Sequence, residues 1–270
     1  SSVSCTVRLN ELMSGHTSFK IGGPADILVL PESIEQLREV LKVVKETVVP
    51  LTLLGNGSNV LVRDKGIRGI VIKLGNMLRH FYEAEDLLVF GSGYSLALAS
   101  YKAMECGKTG MEFAVGIPGS IGGAVYMNAG AYDGEMQNIV NCVKVMDLQG
   151  NERVLTAEEL NFGYRKTSLQ NSGLIVTEVT LKMPSGNKDE IKSKMDDFSH
   201  RRISKQPLEM PSAGSMFKRP PGYFAGTLID QAGLKGYTVG GAQISTKHAG
   251  FVVNVGGATA ADVLQLIKDV

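Results

Sequence analysis

The chain has no tryptophan, only three cysteines and four histidines, and no excess of charge of either sign. Each scarcity excludes something. Cys5, Cys106 and Cys142 stand far apart, form no CxxC pair and leave an odd count, so no disulfide framework is written here. Buried thiols in a reducing, cytoplasmic setting are the expectation. His16, His80, His200 and His248 show no metal-ligand spacing, so no metal is expected. With 28 Lys and Arg against 27 Asp and Glu, no basic field points to nucleic acid or anionic lipid. The opening SSVSCTVRLNELMSG lacks the basic-then-apolar order of a signal peptide.

Long apolar runs are missing as well, yet one stretch is free of charge. Residues 113–132, containing GIPGSIGGAVYMNAGAY, hold five Gly and one Pro without a single charged side chain. Pro118, Asn128 and the glycines make it a poor helix, and its apolar residues never continue for more than a few positions. It is therefore read as tight turns and short strands in which backbone comes close to something, not as a membrane span.

At 270 residues the chain suits one large domain or two smaller ones. ADILVL (25–30) reads as a strand, followed by a helix over 33–46. Ser33 and Gln36 make a capping box there, and Ile34, Leu37, Val40, Leu41 and Val44 share one face. PLTLLGNGSNVLVRDKG reads as an apolar strand, a glycine turn and a second apolar run that is also read as a strand. RGIVIKL (68–74), LLVFGSG (87–93) and LIVTEVTLKM (174–183) carry strand patterns, and 139–155 reads as a hairpin about Gly150-Asn151. A helix over 95–106 stops at Gly107, which suits a left-handed cap. After the break PSGNKDE come a charged helix over 189–204, glycine-rich strands, and a last helix capped by Thr259. The class is α+β, with a domain over 1–186 and a smaller one over 187–270.

Two glycine turns carry most of the chemistry. GNGSNV, of Gly55, Asn56, Gly57, Ser58, Asn59 and Val60, offers backbone N–H groups of the kind that cradle a phosphate. It is half a GxGxxG fingerprint and lacks the GK[ST] of a P-loop, so taken alone a plain hairpin turn explains it better. The second turn brings Gly116, Ile117, Pro118, Gly119, Ser120, Gly122 and Gly123. Together the two would suit a pyrophosphate attached to a flat ring system; a packed turn against a strand is the competing reading. Ser215, in SAGSMFKRP, has no GxSxG elbow around it, which argues against a hydrolase triad. Arg165, closing FGYR, suits an anion clamp, although taken singly each of the two is better explained as a solvated surface residue.

HTSFKIGGPAD (16–26), LGNGSNVLV (54–62), GIPGSIGGAVYMNAGAY, FGYR, PSAGSMFK, AGTLIDQAGLKG (225–236) and STKHAGFVVN (245–254) follow one another in an order that closely resembles the UDP-N-acetylenolpyruvoylglucosamine reductase family. The short span between FGYR and GSMFK looks like the more compact of the family's two types. The resemblance implies an FAD-binding fold of the vanillyl-alcohol-oxidase type, closed by a smaller domain over a UDP-sugar. It implies non-covalent FAD against residues 55–60 and 116–123, where larger side chains would block the cofactor. It further implies that NADPH reduces the flavin, and that hydride then passes to the enolpyruvyl group of the sugar nucleotide. Arg165 matches the arginine that stabilises the developing negative charge, and Ser215 the serine that protonates C2. Lys205 and Lys218 match positions near the substrate's phosphates and carboxylate, with Tyr132 and Tyr164 lining the same region. The family's catalytic glutamate lies in a short strand beyond the last helix. Here the final Glu is Glu209, so no residue takes that role and a C-terminal tail is expected to be missing. Another flavin oxidoreductase of the same fold, and a nucleotide-binding module without catalysis, are the alternatives.

Overall fold

A computed structural model describes residues 5–75 and 78–270. The chain begins with β1 (Thr6–Leu12), β2 (Pro24–Leu30), α1 (Ile34–Thr47), β3 (Leu51–Leu54), β4 (Ile67–Lys73), β5 (Phe81–Ala84), β6 (Leu87–Gly91) and α2 (Leu96–Glu105). Then come α3 (Ile121–Tyr126), the two-residue strands β7 (Gly130–Ala131) and β8 (Gly134–Glu135), β9 (Val140–Met146), β10 (Glu152–Thr156), β11 (Ile175–Lys182) and α4 (Lys188–Lys205). The remainder is β12 (Ser212–Ser215), α5 (Ala225–Gln231), β13 (Thr238–Val239), β14 (Ala242–Ile244), β15 (Phe251–Asn254) and α6 (Ala260–Asp269). The larger sheets run β1-β2-β4-β3, β10-β9-β11-β6-β5 and β12-β15-β14-β13.

Local chemistry sets most helix starts. Ser33, Ser95 and Thr259 cap α1, α2 and α6, each accepting from a backbone N–H three residues on. In α6 the cap is a full box, because Asp262 Oδ2 accepts from Thr259 N in return at 2.9 Å. The box expected at α1 is displaced by one residue: Gln36 Oε1 accepts from Glu32 N at 2.7 Å, just ahead of the cap. Leu37, Val40, Leu41 and Val44 bury the predicted face of α1. Gly107, at φ +66°, ends α2 as its position suggested. The β9–β10 hairpin turns through Gly150 at φ +86°, with Asp147 Oδ1 accepting from the N–H groups of Gln149 and Asn151.

Two expectations fail. Residues 116–132 are not only turns and short strands, since 121–126 form α3 despite Gly122 and Gly123. Ser120 supplies the cap, with Oγ accepting from Gly123 N at 3.3 Å, and tertiary packing overrides the poor propensity of glycine. Nor does a strand follow the 55–60 turn; residues 60–63 have no regular structure, although Val62 is buried. β1 and β5 were not evident from pattern.

Packing divides the chain into two compact units. Of the described residues, the first comprises 5–7, 29–56, 72–75 and 78–200, and the second 8–28, 57–71 and 201–270. The division differs from a cut at 186/187, because contacts far apart in sequence draw two early segments into the second unit. In the first unit, α2 and α3 cover the five-stranded sheet over a core that includes Phe90, Ile121, Val125, Val143 and Val179. Ile191, Met195 and Phe198 of α4 pack there with Val115. In the second unit, α6 lies across β13 and β14, and Val263 and Leu266 join Ile244, Val252, Phe19 and Ile21 in one core. Asp64 accepts from Ala260 N at 2.7 Å and Ala261 N at 3.0 Å, fastening the start of α6. No described helix is long and apolar enough to cross a membrane.

Candidate active site

Gly55 and Asn56, at the start of the first glycine turn, share the first unit with the second turn. A Cβ placed on Gly55 would lie 2.9 Å from Ser120 Oγ. The second turn is pinned by three backbone bonds: Leu96 N to Gly119 O, Ile121 N to Tyr94 O and Gly122 N to Ser92 O, all between 2.9 and 3.0 Å. Ile117 is tied to Ala114 O and half-buried beside the core, while Pro118 is exposed. Among the described residues, the N–H groups of Asn56, Gly116, Gly119 and Ser120 donate to no protein group. Unengaged backbone donors, with no cationic side chain among residues 55–60 and 116–123, are what a pyrophosphate accepts from uncharged protein. The residues present fit FAD on that test.

Most glycines here, however, answer to their own chain. Gly57 has φ +68°, and a Cβ on it would fall 2.1 Å from His16 O. Gly122 is closed by Ser92 Cβ at 2.6 Å, while Gly116 and Gly119 have φ of +71° and +138°. Only Gly55 and Gly123 combine an ordinary φ with no closer obstacle than the Ser120 hydroxyl. Ser58 and Val60 are half-buried in the second unit, and Asn59 is exposed there.

Arg165 is the most firmly placed of the expected catalytic residues. Gly163 and Lys166 exchange backbone bonds of 2.9 and 3.1 Å, leaving Tyr164 and Arg165 at the tip of a tight hairpin. Arg165 stands at φ +54°, outside the usual range for a long side chain. Its Nη1 donates to Asn128 O at 3.0 Å and its Nη2 to Gly130 O at 2.9 Å. The guanidinium carbon lies 5.4 Å from the Tyr164 ring centroid. Tyr132, also left-handed at φ +50°, stacks on Phe198 with centroids 4.4 Å apart. Residues 128–132 and the FGYR hairpin are thus one assembly.

Ser215, Lys205 and Lys218 belong to the second unit and are all exposed. Ser215 ends β12 opposite Phe251, beyond a break in register at Gly214, whose φ is +81°. Among the described residues its hydroxyl meets no hydrogen-bond partner. His248, not singled out from sequence and far away along the chain, is brought near by the fold, because Met216 N bonds Gly250 O and Gly250 N bonds His248 Nδ1. Burial of its ring, with the charges of Lys235 and Lys205, holds its pKa below the ordinary histidine value. Among the described residues, no group of three or more His, Cys, Asp or Glu could hold a metal ion.

Sequence reasoning also passed over Asn128 and Glu135. The only signal for Asn128 was a polar residue inside a charge-free stretch; its complete burial belongs to the fold.

Residues 25–156 match the FAD binding domain family, and residues 206–270 match the C-terminal domain of UDP-N-acetylenolpyruvoylglucosamine reductase. The UDP-N-acetylenolpyruvoylglucosamine reductase of Clostridioides difficile is 51% identical over 261 residues, covering 97% of this chain and 86% of that one. The reductase of Alkaliphilus oremlandii is likewise 51% identical, covering 97% and 88%. Among solved structures, UDP-N-acetylenolpyruvylglucosamine reductase from Thermus caldophilus superposes with a TM-score of 0.87 at 41% identity, covering 98% and 94%. A 6-hydroxy-D-nicotine oxidase from Arthrobacter nicotinovorans, 16% identical, superposes at 0.50 over 68% of this chain and 43% of its own. That likeness concerns the fold alone, an α+β FAD-binding fold of the vanillyl-alcohol-oxidase type. Half-identity along nearly the whole length, with both domains matched in order, makes the chain an FAD-dependent oxidoreductase that belongs to the UDP-N-acetylenolpyruvoylglucosamine reductase family.

Proposed function

We propose that the chain reduces the enolpyruvyl group of UDP-N-acetylglucosamine enolpyruvate, giving UDP-N-acetylmuramate for peptidoglycan, with NADPH as co-substrate. The observation that carries this reading is the 51% identity to a reductase of that name across 97% of the chain. The match of residues 206–270 to the family's own C-terminal domain separates it from other flavin oxidoreductases of the same fold. The partners are then small molecules, the setting is the cytoplasm, and the product serves wall growth, cell shape and division.

Bound FAD would supply the hydride relay between NADPH and the sugar nucleotide. The chain's own residues do the rest. The free N–H groups at Asn56, Gly116, Gly119 and Ser120 hold the cofactor's phosphates, with Gly55, Ile117, Pro118 and Gly123 shaping the same cradle. Arg165 uses two of its five N–H donors on protein carbonyls and keeps three for the substrate carboxylate. Its positive charge offsets the negative charge that builds on C2 and the carboxylate during reduction. Ser215 presents an unengaged hydroxyl and donates its proton at C2. Lys205 and Lys218 take the phosphates, and Tyr132 and Tyr164 flank the sugar nucleotide.

The test is a pair of single-turnover measurements on purified, FAD-loaded protein. Ser215→Ala should leave flavin reduction by NADPH intact and slow reoxidation by the UDP-sugar on the order of 10²–10⁴-fold. Arg165→Lys should also slow reoxidation, because an ammonium cannot replace a planar fork. Equal slowing of both halves in Ser215→Ala would make that residue structural. A colourless protein that takes up no FAD would overturn the reading itself.

A further inference from the structure

We infer that Asn128 is a positioning residue for Arg165, fixing both the head and the base of that side chain through one buried amide. The inference deepens the reading of Arg165 as the group that holds the substrate carboxylate, and rests on it for its catalytic consequence.

Arg165 is long, half-buried and carried at the tip of a two-residue hairpin. Left to itself, such a side chain samples many rotamers, and a carboxylate clamp needs one. The tether is the pair of carbonyls at Asn128 and Gly130. They are presented by a turn in which Asn128 stands at φ +43°, a conformation that asparagine tolerates better than most residues. What holds this turn is the side chain of Asn128, which is completely buried. Its Nδ2 donates to Gly163 O at 3.0 Å and to Glu135 Oε2 at 3.1 Å, while its Oδ1 accepts from Gln137 N at 3.0 Å.

The consequence is geometric. Gly163 is the base of the hairpin that carries Arg165, and the carbonyl of Asn128 receives the guanidinium. A single amide therefore references both ends of Arg165 to the same point. The role demands two donors and an acceptor in one planar head, which only Asn and Gln provide. Aspartate would turn a carboxylate towards Gly163 O and Glu135, two acceptors, and leave both unpaired. Leucine would strand all three partners. The arrangement goes beyond packing, because none of the three side-chain bonds is made to the core sheet.

The test uses the full-length, FAD-loaded protein with ¹⁵N-labelled arginine. The Nε–H resonance of Arg165, identified by its loss in Arg165→Lys, should lie away from those of exposed arginines. Asn128→Gly keeps the left-handed backbone accessible and removes only the amide. In it the resonance should move into the exposed group, and reoxidation by the UDP-sugar should fall on the order of 10–10²-fold while reduction by NADPH is unchanged. Asn128→Asp should do the same. Glu135→Gln, a milder change that weakens one charge-assisted bond, should shift the resonance in the same direction by less. An unmoved Arg165 resonance in whichever of these variants folds overturns the inference, as does equal slowing of the two half-reactions. Wild-type reoxidation in Arg165→Lys would overturn the carboxylate role of Arg165, whereas the resonance decides the positioning by itself.

Discussion

Gly57 and Gly123 look interchangeable as letters in a glycine-rich motif, and they occupy opposite physical situations. At Gly57 the chain itself forbids a side chain, since a Cβ would lie 2.1 Å from the carbonyl oxygen of His16 and φ is +68°. At Gly123 the helix would accept one, with nothing nearer than the Ser120 hydroxyl at 3.3 Å. Gly122 resembles the first and Gly55 the second. A glycine that its own fold requires says nothing about a ligand. One that the fold does not require asks for another reason, and a cofactor lying against the backbone is such a reason.

Four substitutions can break or sharpen this contrast. Gly57→Val should have the largest effect, costing about 3–5 kcal/mol of folding stability because both the contact and the backbone angle oppose it. Denaturant unfolding of protein stripped of FAD measures it; a loss only in the loaded protein would move Gly57 into the ligand-dictated class. Gly122→Ala should follow, at about 1–3 kcal/mol from overpacking against Ser92, again with or without FAD. Gly55→Ala should leave stability nearly intact and weaken FAD by about tenfold, or about 1.4 kcal/mol, in a fluorescence titration. Unchanged FAD affinity there would remove that turn from the cofactor's contact surface. Gly123→Ala should show the smallest change in stability, within about 1 kcal/mol, since the helical gain of alanine opposes crowding at Ser120. The same variant should bind FAD more weakly. Opposite signs for folding and binding at one residue would settle the contrast in favour of the cofactor; parallel losses would end it.

How much of this was legible beforehand differs from element to element. Helices capped by Ser33 and Thr259 could be read because a hydroxyl, three residues and an apolar period are all local, and the helix ending at Gly107 because its stop is local too. The β9–β10 turn was readable for the same reason, with Asp147 and Gly150 supplying its chemistry. α3 was not readable. Its glycines speak against a helix, and what favours it is Ser92, nearly thirty residues earlier in the chain, against which only a glycine fits. The ordered motifs carried the family, and with it Arg165 and Ser215, but nothing local to FGYR foretold that Arg165 would be held by carbonyls at 128 and 130.

By itself, then, the sequence determined the family, the α+β class, the capped helices, the hairpin and the two glycine turns, because each depends on neighbours within a few residues or on the order of motifs. Only the tertiary structure decided that 8–28 and 57–71 fold with 201–270, that 121–126 wind into a helix, and that Asn128 is buried beneath Arg165. Those outcomes turn on contacts between residues tens of positions apart. A steric fit or a buried hydrogen bond made across such a distance leaves no periodic trace in the chain.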